Sequence, residues 1–252
     1  MNAASGPVFS IVALFYNEEK AAEQAVGKLW TALKNLTEPF ELLLVDNGSR
    51  DQTGSILRAW SSRHAGTIHV VRVEKNRGYG WGWICGARPA RGRWVAFIPG
   101  DGQLPPDDLV RLLKLACEHQ AKILKGRRRE RSEGLWRRAV SCVYNAVFRV
   151  LFGSGDLRDI NGQPKIVERE LWHDLGPVSK DWFIDAELML KALERGVTIE
   201  EADVESTVRA GGGSHVKWTA IIEFFINLAR WRLTGGRAWK ERSQARTEVF
   251  RP

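Results

Sequence analysis

The stretch FELLLVDNGSRDQT, residues 40–53, decides the fold class. Residues 40–45 carry one acid among apolar side chains, the pattern of a strand buried on both faces, and the run ends in the polar turn Asp46-Asn47-Gly48-Ser49. Working outward toward the N-terminus, FSIVALF (Phe9–Phe15) is a second uninterrupted apolar run and predicts another buried strand. Residues 18–35 between them have helical spacing. Ala22, Ala25, Val26, Leu29 and Leu33 share one side, and acids occupy the first turn. In the other direction the pattern predicts a helix over 55–63 and a strand over 68–73. A glycine-rich segment over 78–88 turns helical, and a further strand covers 94–98. Pro105-Pro106-Asp107-Asp108 opens a helix with proline and acids where a helix start prefers them, and 121–124 is a fifth strand. Strands alternating with helices over short connections define an α/β domain with a mostly parallel sheet.

The second half reads differently. KGRRRER (125–131) is a basic run, a long helix covers Leu135–Phe152, and 156–170 reads as irregular and extended. A helix over 182–195 closes at Gly196, a strand-like segment covers 197–209, and another helix covers 218–233. The expected organisation is one domain over 1–234, with a nucleotide-type half (1–126), an acceptor half (127–234) and a mobile charged tail (235–252). Of the 252 residues 44% are hydrophobic and 27% charged, which excludes a disordered or collagen-like chain. The net charge of +8 points to an anionic partner, and 11 tryptophans favour stacking and interfacial surfaces. Three scattered cysteines without a C-x-x-C pair suit a reduced compartment. No leader pattern opens the sequence, and no apolar run approaches the length that a spanning helix needs.

Ligands of open parallel sheets bind outside the carboxyl ends of the strands. Four such ends are polar here: Tyr16-Asn17-Glu18-Glu19, the 46–53 turn, Asn76-Arg77-Gly78-Tyr79-Gly80, and Pro99-Gly100-Asp101-Gly102-Gln103. Four polar clusters at four strand ends make a composite site. FYNEE, VDNGSRDQT, NRGYGWGWICGA and IPGDGQLPPDDL, in this order, resemble family 2 glycosyltransferases of the GT-A fold. The dolichol-phosphate mannosyltransferase and polyprenyl-phosphate glycosyltransferase group is the most similar. DINGQPKI, DWFIDAELMLKALERGV and VRAGGGS extend the resemblance over roughly residues 8–216.

The resemblance implies an inverting enzyme that moves a sugar from a nucleotide-diphosphate sugar to a polyprenyl (dolichyl-type) phosphate. It gives donor binding to Asn17, Glu18, Asp46, Asn47, Gly48, Ser49 and Asp101, with Asp46 accepting a ring N–H of uracil or guanine; the base stays open. Asp101 and Gln103 are the candidate ligands of Mg²⁺ or Mn²⁺, an ion that offsets charge on the departing diphosphate. Pro99 stands where the family often has a first Asp, leaving one carboxylate. Arg127, Arg128, Arg129 and Arg131 form a candidate phosphate-binding loop, and Arg209 with Ser214 matches a phosphate-binding pattern. Asp159 joins Asp101 as a catalytic candidate, and Asp185 and Glu187 match an acidic pair on the acceptor side. An acceptor phosphate is already ionised, with a second pKa of about 6, so these acids orient rather than deprotonate. Each cluster also has a plain structural reading: a turn-forming Asp46, a helix start at Glu18 and Glu19, an Asp101-Gly102 turn, a solvated arginine run.

The helices over Leu135–Phe152 and 218–233 mix aromatic, aliphatic and basic residues. That composition predicts contact with an anionic membrane surface and a peripheral place on its cytoplasmic face. For 218–233 the expectation is burial against membrane or partner, with Phe224, Phe225 and Trp231 as anchors. Two other readings compete: a family 2 transferase acting on a soluble polysaccharide or protein, and a nucleic-acid-binding protein suggested by charge. Acids crowding the strand ends argue against nucleic acid.

Overall fold

The computed structural model describes residues 6–128, 135–155, 157–205 and 218–249, with side chains throughout except at 135–139, 218–221 and 244–249. In chain order the strands are β1 (Phe9–Phe15), β2 (Phe40–Asp46), β3 (Ile68–Arg72), β4 (Trp94–Pro99), β5 (Ile123–Arg128), β6 (Lys165–Glu168) and β7 (Ile199–Val204). The helices of the first half are α1 (Glu19–Leu33), α2 (Thr53–Arg63), α3 (Tyr79–Ala87) and α4 (Pro106–Glu118). Those of the second are α5 (Leu135–Phe152), α6 (Arg169–Leu175), α7 (Ile184–Glu194), α8 (Trp218–Thr234) and α9 (Arg237–Val249).

The strands form one sheet in the order β3-β2-β1-β4-β6-β5-β7. All pairings are parallel except those of β6, which runs antiparallel to both β4 and β5. Every residue of β1 is buried, and its alternating side chains feed two different cores. Phe9, Ile11, Ala13 and Phe15 pack with α1, α2 and α4, while Val12 and Leu14 pack with α3, α7 and the later helices. That division makes three layers and explains the uninterrupted apolar run.

Three stretches depart from the sequence reading. Within 156–170, expected as irregular, lies β6, followed by α6. Four residues, Lys-Ile-Val-Glu, are too few to show a period, and a fully buried Lys165 disguises the strand. Residues 235–252, expected as a mobile tail, carry α9. Its Trp239 is buried against Trp231 and Phe183, and the indole N–H donates to Ser179 Oγ at 2.9 Å. One aromatic at the right place docks a helix that is otherwise polar.

The third departure is α8. Trp231 is 1% exposed and belongs to the core with Leu228, and Phe224 and Phe225 pack on Tyr144 of α5. The anchors expected to face outward therefore face inward, because α5 and α8 pair with each other. Their outer faces keep Val143, Val150, Ile222, Ile226 and Leu233 in solvent, Val150 and Leu233 each at 85%. Among the described residues no helix is long and apolar enough to cross a membrane.

Candidate active site

The loops after β1 and β2 are stitched into one platform by side chains that bond the neighbouring backbone. Asn17 sits in the left-handed region (φ 52°), a conformation that Asn tolerates better than most residues. Its N–H donates to Ser49 Oγ at 3.1 Å, and its Oδ1 accepts from Arg50 N–H at 2.9 Å. The buried Glu18 donates its N–H to Thr53 Oγ1 at 2.8 Å. Glu19 N–H meets Asp51 Oδ2, and Glu19 Oε2 accepts from Gln52 N–H, each at 3.1 Å. Gly48 carries φ 79°, and a Cβ there would run into the backbone of Asn76.

Asp46 has no exposed side-chain surface. Oδ1 accepts from Ser49 N–H at 2.9 Å and Oδ2 pairs with Arg72, whose other amine reaches Ser49 O at 3.2 Å. Each oxygen thus helps to shape the turn. Its neighbour is arranged differently. Asn47 Nδ2 donates to Gly78 O at 3.1 Å, which fixes the amide, and its buried Oδ1 has no partner among the described residues. A buried acceptor without a donor costs about 1–3 kcal/mol, a cost that a water or a ligand N–H removes.

The loop after β4 brings Asp101 and Gln103 together: Asp101 Oδ1 accepts from Gln103 N–H at 3.1 Å. Both side chains are half-buried. One carboxylate and one amide oxygen on adjacent turns of chain suit a hard cation when phosphate and water oxygens complete its shell. No group of three or more His, Cys, Asp or Glu among the described residues is placed to hold a metal ion.

On the acceptor side, Arg127 and Arg128 are not loop residues. They end β5, and each meets an acid. Arg127 Nε is 2.6 Å from Asp203, and Arg128 grips Asp159 with Nε and Nη2 at 2.9 and 3.0 Å. The hydrogen bond to Asp203 keeps the Arg127 guanidinium above its usual range. Lys125, fully buried, bonds Glu201 at 2.7 Å and the carbonyl of Asp159. Glu201 also accepts from the N–H groups of Arg158 and Asp159, at 2.9 and 3.1 Å. Glu187 accepts from the N–H groups of Val178 and Ser179 and pairs with Lys191 at 2.7 Å, so it holds a loop. Arg129, Arg131, Arg209 and Ser214 lie outside the described residues.

Asp185 lies 2.7 Å from Lys165, both buried. Burial pushes the Asp185 carboxyl up, opposed by Lys165, Lys125 and Arg128. Burial also brings the Lys165 ammonium down to about 8, against the pull of Asp185. Tyr79 joins the two halves of the site: burial, then the fields of Asp185 and Asp101, hold its hydroxyl well above the ordinary range. Its ring stacks on Trp182 at 4.1 Å. Sequence reasoning passed over Tyr79, Gln163, Lys165, Arg72 and Glu201. Tyr79 and Lys165 stood inside quoted motifs, but an aromatic among glycines and a lysine after proline carry no signal of their own.

A parallel sheet with one inserted antiparallel strand, and a composite site at its carboxyl ends, is the GT-A glycosyltransferase architecture. Solved structures of glucosyl-3-phosphoglycerate synthase from Mycobacterium tuberculosis share it. The complex with Mn²⁺ and UDP-glucose superposes with a TM-score of 0.71 at 21% identity, covering 90% of this chain and 79% of that one. The complex with Mg²⁺ and UDP gives 0.67 at 21% identity, covering 88% and 79%. The profile of glycosyl transferase family 2 matches residues 10–168, and the chain belongs to that family. A relative from Pseudomonas aeruginosa (strain LESB58), an undecaprenyl-phosphate 4-deoxy-4-formamido-L-arabinose transferase, is 31% identical over 136 residues. The match covers 54% of this chain and 40% of the relative. A protein of the same name from Photorhabdus laumondii is 31% identical over 138 residues, 55% of this chain and 42% of the relative. The match thus spans about two fifths of those relatives' length.

Proposed function

We propose that this chain transfers a sugar from a uridine-diphosphate sugar to a polyprenyl phosphate at a membrane surface. The observation that carries the donor side is the buried, unpartnered Oδ1 of Asn47 beside a sealed Asp46. A single neutral acceptor suits the one ring N–H of uracil, whereas guanine presents adjacent donors. The solved neighbours were crystallised with UDP, which supports the same base. Asn17, Glu18, Gly48 and Ser49 shape the pocket wall, and Asp46 acts through them.

The acceptor phosphate oxygen attacks the anomeric carbon from the face opposite the diphosphate, the carbon–oxygen bond to the diphosphate breaks, and the nucleoside diphosphate leaves. Asp101 and Gln103 would hold Mg²⁺ or Mn²⁺, which when bound supplies positive charge to the departing diphosphate. The acceptor enters already ionised, so Arg128 and Asp159 position it, with Arg127 at the rim and Arg129, Arg131, Arg209 and Ser214 as further phosphate contacts. The relatives' names support a polyprenyl acceptor. Exposed Val143, Val150, Ile222, Ile226 and Leu233 on α5 and α8, with exposed Arg149, Arg230 and Arg232, support a peripheral seat on anionic lipid at the cytoplasmic face.

The test is a panel of UDP- and GDP-sugars against a short polyprenyl phosphate, with metal and chelator arms. Transfer from a UDP-sugar that chelator abolishes is the expected result. Transfer only from GDP-sugars would remove the base assignment, and transfer only to a water-soluble acceptor would favour the second reading. That reading has support in a solved neighbour, which was crystallised with the water-soluble phosphoglyceric acid.

A further inference from the structure

Behind Asp101, where β6 enters the sheet, a polar chain runs through the interior. Gln163 Nε2 stands 3.3 Å from both Tyr79 Oη and Asp185 Oδ1. The Asp185 carboxylate, an acceptor only, fixes which end of the amide is which. Gln163 Oε1 then points elsewhere, buried and without a partner among the described residues. Tyr79 Oη accepts from Gln163, so its own proton remains to be given, and its high pKa keeps that proton in place. The pair therefore keeps one donor, the Tyr79 hydroxyl, and one acceptor, Gln163 Oε1, unspent among the described residues. An alcohol, which both donates and accepts, matches that pattern.

The position suits a sugar. Tyr79 opens α3 directly after Gly78, whose carbonyl holds Asn47, and it feels the charge of Asp101 at the diphosphate end. Gln163 comes from the acceptor half. A group held by both lies between nucleotide and acceptor, where the transferred ring must sit. We propose that Tyr79 and Gln163 read a hydroxyl of the donor sugar, and that the buried Lys165–Asp185 pair is the device that positions them.

Lys165 is suited to that role. Its Nζ reaches Asp185 Oδ1 at 2.7 Å and Gly162 O at 2.9 Å, so one ammonium ties the carboxylate that receives Gln163 to the peptide next to Gln163. Gly162 and Gly126 approach so closely that a Cβ on either would strike the neighbouring backbone, which leaves the Gln163 main chain little room.

The inference rests on the UDP-sugar reading above, and the experiment separates the two. Calorimetry on the full chain with Mn²⁺ measures UDP, UDP-glucose, UDP-galactose, UDP-xylose and UDP-N-acetylglucosamine. Tyr79→Phe, which keeps the ring stack, and Gln163→Leu should hold UDP affinity within about twofold. They should weaken the best UDP-sugar about tenfold and narrow the spread across the panel, as expected for one lost hydrogen bond of about 1.4 kcal/mol. Lys165→Met should copy Gln163→Leu, and Lys165→Arg should recover most of the loss. Equal losses for UDP and UDP-sugar, or no loss in either, would overturn the proposal, as would a wild type that treats every UDP-sugar alike. A wild type that binds no UDP would instead fail the donor reading and take this proposal with it.

Discussion

The two halves of the site are held by different physics. The donor platform is made of short polar side chains bonding nearby backbone: Asn17, Ser49, Asp51 and Thr53 join two loops that lie side by side because β1 and β2 pair in parallel. The acceptor half is made of buried and half-buried charges drawn from four elements. Lys125, Arg127 and Arg128 on β5, Lys165 on β6, Asp185 on α7 and Glu201 on β7 meet only when the sheet is complete. Backbone-directed bonds each contribute about 0.5–1.5 kcal/mol and fail gradually. A buried ion pair that loses one partner strands a charge, and the failure is abrupt. The donor half should therefore tolerate change that the acceptor half does not.

The largest expected effect breaks the acceptor half. Lys125→Met takes the cation from Glu201, whose side chain is 9% exposed, and should cost about 3–5 kcal/mol in urea unfolding. Lys125→Met combined with Glu201→Leu should recover part of it. A loss under 1 kcal/mol for the single variant would show that water reaches the pair.

Asp101→Asn tests chemistry rather than stability. Turnover should fall by about 10²–10³-fold with the unfolding midpoint unchanged, because no second acid stands at position 99 to share the diphosphate charge. Wild-type turnover at saturating Mn²⁺ would remove Asp101 from the reaction.

In the donor half, Asp46→Asn keeps an acceptor for Ser49 N–H but loses the charge that holds Arg72. A cost of about 1–3 kcal/mol is expected, together with weaker UDP binding. If UDP affinity falls while stability does not, the carboxylate meets the nucleotide after all. On the outer surface, Ile222→Ser, Ile226→Ser and Leu233→Ser together should leave UDP-sugar binding intact. Sedimentation with anionic vesicles should fall by about tenfold. Equal sedimentation would place membrane contact elsewhere.

The smallest effect lies at the far end of β2. Burial pushes the Glu41 carboxyl up, but the Ser10 hydroxyl and Arg91 outweigh it and hold the pKa below its ordinary 4.5. A depressed carboxylate pKa adds stability above the unfolded value, and that stability is lost as pH falls below about 4.5. Glu41→Gln should flatten this part of the acid limb in a pH series of unfolding free energies.

Much of the donor half was legible in the sequence because its signals are local. Apolar runs in β1 and β2, each ending in a polar turn, give the strands and the parallel topology. Asn17, Asp46 and Asp101 follow from that placement. The packing of Asp46 was not legible, since only the structure shows one oxygen accepting from Ser49 N–H and the other paired with Arg72. The acceptor half hid more. KGRR reads as an exposed basic loop until Asp159, Glu201 and Asp203 are seen beside it, and those acids lie more than thirty residues away in sequence.

The sequence by itself determined the fold class and the family resemblance, because hydrophobic period and strand-end polarity are properties of contiguous residues. Tertiary structure alone decided that four residues at 165–168 enter the sheet backwards, that Trp231 and Trp239 turn inward, and that Lys165 meets Asp185. Those outcomes depend on what packs opposite: a charge is buried only where its counter-charge arrives, and an aromatic face is hidden only where another helix covers it.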